Sequence, residues 1–306
     1  MSGGHFQAYG LVIESELPIV EMPAAQASPD VAPDVSVRLG PVPEHLDEPD
    51  LVREVSESSA GRLLLRIEGV ARYLVLHGSE IVIDPVDGAD EHEVRVFLLG
   101  TCFGALLHQR GLLVLHASGI EHPSGAVLFA GASGSGKSTL LGELLRRGHR
   151  MMVDDVCGVT LHDGTPTVVP SYPRTRVWAD SAVELAVDTT GLTRTRPSME
   201  KFERQLFDQS CGDHLPLRRI YHLAGAAGDE VTLETLPPMA RFPTILANTY
   251  RAMLLDGLGM RPMHFDLASA VAASVEVVRG VRPAEGFRVV EVADRILDHL
   301  VDDDVR

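Results

Sequence analysis

Residues with the types and spacing of a phosphate-binding loop lie at positions 131–139. The run Gly-Ala-Ser-Gly-Ser-Gly-Lys-Ser-Thr follows an apolar segment and precedes leucines that recur at helical spacing. Gly131, Gly134 and Gly136 allow the backbone to turn successive N–H groups toward an anion, and the dipole of the following helix adds positive potential. The order of strand, loop and helix therefore predicts a nucleotide-binding P-loop.

The side chains of this loop have separate predicted roles. Lys137 supplies a mobile charge for the β- and γ-phosphates, Ser138 supplies a hydroxyl for Mg²⁺, and Thr139 contacts the α-phosphate. ATP and Mg²⁺ are the cofactors that this motif predicts, and the choice between ATP and GTP stays open. The predicted nucleotide-binding set is Gly131, Ala132, Ser133, Gly134, Ser135, Gly136, Lys137, Ser138 and Thr139.

Two adjacent carboxylates, Asp154 and Asp155, directly follow a short apolar run. Phosphoryl transfer needs a metal anchor and a group that orients or deprotonates the nucleophile. A strand that ends beside the P-loop helix would place both carboxylates where they could meet these needs. A solvated turn at the end of a strand is the alternative interpretation.

Lysine is rare in this chain, because 25 of its 27 basic side chains are arginine. A chain that uses arginine for generic positive charge keeps lysine where a compact ammonium is needed. Lys201 is therefore predicted to reach the phosphates or the substrate, with a surface lysine as the alternative. Arg174 and Arg176 could clamp a phosphate or a substrate carboxylate, or could simply be solvated or ion-paired. Trp178 is expected to pack in the core.

The net charge of −16 argues against nucleic acid and anionic membranes as partners. The first 100 residues contain 18 acidic residues, six arginines and no lysine, which indicates an acidic amino-terminal module or merely a solvated surface. Three dispersed cysteines lack metal-ligand spacing and are typical of a reducing compartment. We expect a cytoplasmic protein without a signal peptide, membrane span or zinc site, and leave a homo-oligomer open.

The pattern of apolar residues predicts an α/β protein with two parts. A small β-rich module over 1–90 includes a first strand at 6–14, and a P-loop domain over 91–306 begins with a helix at 91–110. Further predictions are a loop at 188–216, a hairpin of 217–224 with 231–236, and a strand at 287–292. Carboxy-terminal helices are expected near 245–255, 267–279 and 293–301.

These motifs together resemble the HPr kinase/phosphorylase superfamily over about residues 95–240. The resemblance rests on the P-loop, on Asp154-Asp155 and on the segment Leu113-Val114-Leu115-His116-Ala117-Ser118-Gly119. It implies a phosphoenolpyruvate carboxykinase-like P-loop fold with a mixed sheet. HPr-kinase-related proteins of lasso-peptide biosynthesis, which phosphorylate a serine of a precursor peptide, are similar at Ala8-Tyr9-Gly10-Leu11 and Leu106-Leu107-His108-Gln109-Arg110-Gly111.

The resemblance also implies roles for individual residues. Asp154 would be the base toward the substrate serine, and Asp155 would join Ser138 near the metal. His116 would contact the γ-phosphate or tune the acidic pair, unless it is a satisfied strand histidine. With Lys137, these residues form the predicted catalytic set.

The expected activity is ATP- and Mg²⁺-dependent phosphorylation of a serine hydroxyl, on a peptide such as a lasso-peptide precursor. Three alternatives remain at this point. The chain could phosphorylate free serine or another small molecule, it could be an HPr kinase/phosphorylase, or it could be a nucleotide-sensing module without transferase activity. The glycine- and isoleucine-rich signature that supports the reverse reaction of HPr kinase/phosphorylases is not found in this sequence.

Overall fold

The computed structural model describes residues 3–25, 32–196 and 199–304, the last three without their side chains. The chain forms two compact units. The first contains Met1–Val114 and Tyr250–Leu267, and the second contains Leu115–Thr249 and Ala268–Arg306. The architecture is mixed α/β, as the sequence predicts.

The described part of the first unit contains an eight-stranded mixed sheet in the order β1-β2-β3-β8-β7-β6-β5-β4. Strand β3 pairs in parallel with β2 and β8, and the other pairs are antiparallel. The strands are β1 (Gly4–Ala8), β2 (Leu11–Ser15), β3 (Val35–Leu39), β4 (Leu51–Val52), β5 (Ser56–Ser59), β6 (Arg62–Ile67), β7 (Ala71–Leu76) and β8 (Glu80–Pro85).

The single strand predicted at 6–14 is wrong, because this segment forms the hairpin of β1 and β2. Tyr9 and Gly10 both have positive φ, 55° and 70°, as a tight hairpin turn requires. Asparagine or glycine is typical at the first of these turn positions, so Tyr9 gave no turn signal in the sequence.

The helical pattern predicted at 91–110 is confirmed, with an interruption. It comprises α1 (Glu91–Phe97), a π-helical turn at Leu98–Cys102 and α2 (Phe103–Gln109). The Asp90 carboxylate caps α1 by accepting a hydrogen bond from the His92 N–H at 2.9 Å. The Tyr73 hydroxyl donates to the Val94 carbonyl oxygen at 3.0 Å, so these helices group with the strands of the first unit. The domain boundary at residue 90 stays a prediction.

A buried histidine in the first unit gives a prediction on stability. His108 is 1% exposed and bonds through Nε2 to the Tyr250 carbonyl oxygen at 2.9 Å. Burial lowers the pKa of His108 to about 4; the Tyr250 hydrogen bond opposes this shift, and nearby His264 adds to it. The unfolded chain therefore binds a proton at pH 5 that the folded chain does not, since a solvated histidine titrates near 6.5.

We expect His108→Gln to reduce the loss of stability on acidification. For the unaltered chain, His108 should lower the free energy of unfolding by about 2 kcal/mol between pH 7.5 and pH 5. Urea denaturation of both proteins at the two pH values measures this difference. An equal loss in the variant would show that His108 does not cause it.

The remaining strands of the described chain form a second mixed sheet and a separate two-stranded ribbon. The main path is β10-β9-β12-β13-β16-β18-β17, with β11 paired to β9 and β10 also paired to β16; the ribbon is β14-β15. The strands are β9 (Leu113–His122), β10 (Gly125–Ala130), β11 (Met151–Val153), β12 (Val156–His162), β13 (Thr165–Val169), β14 (Arg174–Trp178), β15 (Lys201–Gln205), β16 (Leu215–Ala226), β17 (Thr232–Thr235) and β18 (Glu276–Pro283).

The other helices are α3 (Lys137–Arg146), α4 (Ala179–Glu184), α5 (Pro238–Ala247), α6 (Arg261–Ser274) and α7 (Val289–Asp304). Short 3-10 turns lie at Phe207–Gln209 and Ala252–Leu254. Among the described residues, none of the helices has both the length and the apolar character needed to cross a bilayer.

Parallel pairing places the P-loop in the second unit. Strand β16 runs parallel to both β10 and β18, so the carboxyl ends of the three strands meet at one edge. Strand β10 is buried along its whole length and leads into the P-loop. The leucines of α3 then pack with apolar residues of α7, which include Val292, Ala293 and Ile296.

Three of the predicted carboxy-terminal elements are corrected. Strands β16 and β17 do not form a hairpin, because β18 lies between them. Residues 276–279, predicted as the end of the helix over 267–279, belong to strand β18, since Val277 and Val278 are buried and β-branched. The strand predicted at 287–292 is wrong, because residues 289–292 form the first turn of α7, whose buried residues recur at helical spacing. Positions 197 and 198 of the predicted loop at 188–216 lie outside the described residues, and its described part contains β15, the 3-10 turn at Phe207–Gln209 and the start of β16.

Candidate active site

A cavity of about 490 Å³ lies beside the P-loop within the second unit. Its described lining includes the five cations Lys137, Arg176, Lys201, Arg282 and Arg288, and the three acids Asp154, Asp155 and Asp180. An excess of cations is notable in a chain with a net charge of −16. The cavity is therefore suited to an anionic ligand.

The conformation of the P-loop depends on its glycines. Gly131, Gly134 and Gly136 have φ values of 144°, 81° and 99°, which L side chains rarely adopt. A Cβ atom on Gly131 would lie 2.5 Å from the Leu223 carbonyl oxygen and 2.8 Å from Ser135 Oγ. Glycine is thus required at position 131 both for its conformation and for its close approach to β16.

Lys137 is buried, with 6% of its surface exposed, and its side chain folds back onto the P-loop backbone. Its Nζ donates to the carbonyl oxygens of Gly131 at 2.8 Å and Ala132 at 3.0 Å. Burial lowers the pKa of Lys137 to about 8, although Asp154 and Asp155 act to raise it. The ammonium form therefore prevails at neutral pH.

Two buried polar atoms in the cavity lining lack a hydrogen-bond partner within the described chain. They are Ser135 Oγ in the P-loop and Arg176 Nη2 on β14. Buried donors without partners are costly, so such atoms need an explanation. Both are hydrogen-bond donors, and the oxygens of a bound phosphate would satisfy them.

Asp154 is 6% exposed and is held by four hydrogen bonds. Its Oδ1 accepts from Ser118 Oγ at 2.6 Å and from Ser138 Oγ at 3.0 Å. Its Oδ2 accepts from Thr175 Oγ1 at 2.8 Å and from the Arg176 N–H at 3.2 Å. The result is a fixed carboxylate beside the P-loop serine, and such oxygen ligands are what Mg²⁺ prefers.

Asp155 has a different environment and a strained backbone, with φ of 77°. Its Oδ1 lies 3.1 Å from His116 Nδ1, and its Oδ2 lies 2.9 Å from Arg176 Nη1. Burial acts to raise the pKa of Asp155, but the His116 hydrogen bond and the Arg176 charge hold it well below its usual range. The side chain is 25% exposed, so this ionised carboxylate faces the cavity.

The structure brings Lys201 into the cavity, where it faces Trp178 across the β14-β15 ribbon. Lys201 Nζ lies 5.4 Å from the centre of the Trp178 ring. Burial lowers the pKa of Lys201, and the charge of Asp154 opposes this shift. The prediction that Trp178 packs in the core is wrong, because this residue is 41% exposed and lines the cavity.

Arg174 and Arg176, the two arginines predicted to contact a phosphate or a carboxylate, have different positions relative to the cavity. Arg176 lines the cavity, whereas Arg174 does not belong to its described lining. Arg174 is 4% exposed. Its guanidinium donates one hydrogen bond to the Glu203 carboxylate at 2.7 Å and another to the Tyr172 hydroxyl at 2.8 Å. Glu203 also accepts from Arg176 Nε at 3.2 Å, so Arg174 helps to place Arg176 through this shared carboxylate. The predicted phosphate contact of Arg174 does not fit this position.

Sequence reasoning missed Arg282, which lies near the end of β18 and lines the cavity. Its Nε donates to the carbonyl oxygen of Ser135 at 3.3 Å, and its Nη1 donates to that of Pro283 at 2.9 Å. A Cβ atom on Gly136 would lie 3.7 Å from Arg282 Nε. No local pattern could reveal this contact, because it depends on the order of strands in the sheet. Ser118 and Thr175, which hold Asp154, were likewise not identified as site residues.

Comparison with known proteins gives little further information. No protein-family model matches the sequence, and no curated protein matches it either. Among solved structures, the chain is similar to the HPr(Ser) kinase/phosphatase from Coxiella burnetii, with a TM-score of 0.34 and 12% sequence identity. The alignment covers 62% of this chain and 92% of that chain.

Proposed function

We propose that this protein is a Mg²⁺-dependent kinase that transfers the γ-phosphoryl group of ATP to a serine hydroxyl. One observation carries the proposal: the P-loop, the Ser138–Asp154 pair and the Asp155–His116–Arg176 group all line one cavity. The first two could hold phosphates and a metal ion, and the third could orient a nucleophile. The unpartnered donors Ser135 Oγ and Arg176 Nη2 support an anionic occupant.

The residues present fit ATP and Mg²⁺, which would supply the phosphoryl group and neutralise its charge. Lys137 and the P-loop N–H groups would bind the phosphates, and Ser138 and Asp154 would hold the metal ion. Asp155 would orient the serine hydroxyl and accept its proton. In the proposed reaction the serine oxygen would bond to the γ-phosphorus, the bond between this phosphorus and ADP would break, and the serine proton would pass to Asp155.

We propose roles for the two aspartates that are opposite to those that the resemblance implied. Asp154 was expected to face the serine, but its four hydrogen bonds include one from the P-loop serine Ser138. Asp155 was expected near the metal, but it contacts His116 and Arg176 and is more exposed. Because the pKa of Asp155 is held low, we propose that it acts mainly by orienting the hydroxyl, as a weak base.

Phosphoryl transfer to an acceptor panel tests the proposed activity. The purified chain is incubated with Mg²⁺-ATP and free serine, HPr, or serine peptides that include lasso-precursor sequences, and products are identified by intact mass. We expect a mass increase of one phosphoryl group on a peptide serine. Labelling of free serine alone would indicate a small-molecule kinase. Nucleotide binding without a labelled acceptor would contradict the proposal in favour of a sensor.

Arg282 gives a prediction for the donor side of the reaction. Its guanidinium lies beside Ser135 and Gly136, where it could turn from backbone carbonyls to a phosphate. We expect Arg282→Ala to raise the KM for ATP about tenfold and to change kcat less, since a ground-state contact is lost. Steady-state kinetics with varied ATP measure this effect, and Arg295→Ala on the exposed face of α7 is the matched control. An unchanged KM would exclude the contact.

A further inference from the structure

Trp178 is a large aromatic side chain that remains 41% exposed at the cavity although Lys201 lies over its ring. An exposed indole beside a cavity offers apolar area at little conformational cost, and such residues often dominate recognition of a partner. It is also the only tryptophan in the chain. The proposed transfer chemistry makes no use of this residue.

The position of Trp178 along β14 relates it to the reacting groups. Arg176 and Trp178 are two residues apart on the same strand, so their side chains leave from the same face about 7 Å apart. Arg176 binds Asp155 directly, at 2.9 Å. Asp155, Arg176 and Trp178 all line the same cavity, so a hydroxyl oriented by Asp155 would share this cavity with the indole.

The spacing of Arg176 and Trp178 along β14 favours an extended acceptor over a free amino acid. A free serine spans only about 5 Å from its hydroxyl to its far end, which is less than the strand repeat of about 7 Å between these two positions. In a peptide, the residue next to the serine begins 3.8 Å further along the chain, and its side chain extends beyond that. A flanking side chain can thus reach the indole while the serine hydroxyl stays at Asp155.

The base of the nucleotide has a different candidate location. Leu223, Val231, Leu233 and Phe287 also line the cavity. The Leu223 carbonyl oxygen approaches Gly131 at the start of the P-loop, whereas Trp178 lies on the strand that carries Arg176. An apolar surface for the base is therefore available without Trp178.

We propose that Trp178 binds an apolar side chain next to the phosphoacceptor serine, which makes the acceptor a peptide rather than a free amino acid. This inference rests on the proposed function for the identity of the acceptor. Lys201 would hold the indole in place from the facing strand through its contact with the ring.

Fluorescence of the single tryptophan tests this binding without requiring transfer. The probe is a pool of acetylated, amidated pentapeptides with serine at the centre and randomised flanking positions, added with Mg²⁺ and a non-hydrolysable ATP analogue. We expect the peptides to protect Trp178 from acrylamide quenching, and the nucleotide analogue or free serine alone to leave quenching unchanged. Protection by the nucleotide alone would overturn the proposal and assign Trp178 to the base.

Other outcomes separate this inference from the proposed function. Peptide phosphorylation without protection of Trp178 would refute the binding of a flanking side chain by Trp178 but would support the proposed kinase activity. Protection by peptides without phosphorylation would refute the kinase activity but would support peptide binding at Trp178. The absence of both would refute both proposals.

Kinetics on individual peptides from the pool give a second readout. We expect Trp178→Ala to lower kcat/KM about tenfold for peptides with an apolar residue beside the serine, and Trp178→Phe to restore much of it. Peptides with glycine at the flanking positions should lose far less. Phe207→Ala, which removes another exposed aromatic outside the described cavity lining, is the matched control. An equal loss for both kinds of peptide would contradict a role in recognition.

Discussion

Asp155→Asn is expected to lower kcat for phosphoryl transfer by about 10²–10⁴-fold and to leave the Kd of Mg²⁺-ATP nearly unchanged. Asparagine tolerates the positive φ of 77° at this position, so the backbone should persist. The amide loses the negative charge that His116 and Arg176 stabilise and that would orient the serine hydroxyl. Transfer measured by mass and nucleotide affinity measured by calorimetry give the two quantities.

Asp154→Asn is the matched partner for this variant. It replaces a carboxylate that accepts from Ser118, Ser138 and Thr175, so we expect weaker Mg²⁺-dependent nucleotide binding as well as lost transfer. The contrast between the two variants decides which aspartate serves the metal. If Asp154→Asn kept full nucleotide affinity and Asp155→Asn lost it, the roles first implied by the resemblance would be correct.

Lys137→Met is expected to lower kcat/KM for ATP by about 10²–10³-fold. Methionine has a similar length and suits a position that is 6% exposed, so the fold should be retained. The variant lacks the ammonium that bonds to Gly131 and Ala132 and that would stabilise charge on the transferring phosphoryl group. Initial rates at saturating acceptor measure the loss, and thermal unfolding checks the fold.

Lys201→Met provides the comparison within the same cavity, since these two residues are the only lysines of the chain. Lys201 lies over Trp178 rather than on the P-loop, so its loss should reduce transfer less than the loss of Lys137. Unaltered kinetics for Lys201→Met would refute the idea that lysine scarcity marks a functional residue here. Unaltered kinetics for Lys137→Met would exclude a catalytic P-loop.

Local patterns were sufficient where a single segment determines its own structure. The order of strand β10, glycine-rich loop and helix α3 could be predicted because the glycines, the preceding apolar run and the leucines of α3 are adjacent in sequence. The same patterns were misleading where apolar runs are short. The apolar pattern of residues 287–292 suits a strand or a helix equally well, and the packing of Val289 and Val292 of α7 with the leucines of α3 decided the outcome.

The glycine-rich loop between β10 and α3, the acidic pair after β11 and the mixed α/β class can be inferred from the amino-acid sequence alone, because they follow from backbone freedom at glycine and from apolar periodicity. Three contacts became evident only from the folded chain: Arg282 lies near Gly136, Trp178 is exposed beside Lys201, and Arg174 is buried against Glu203. These contacts depend on the order of strands in the sheets. Strand order is set by the packing of the whole chain, so no local pattern contains it.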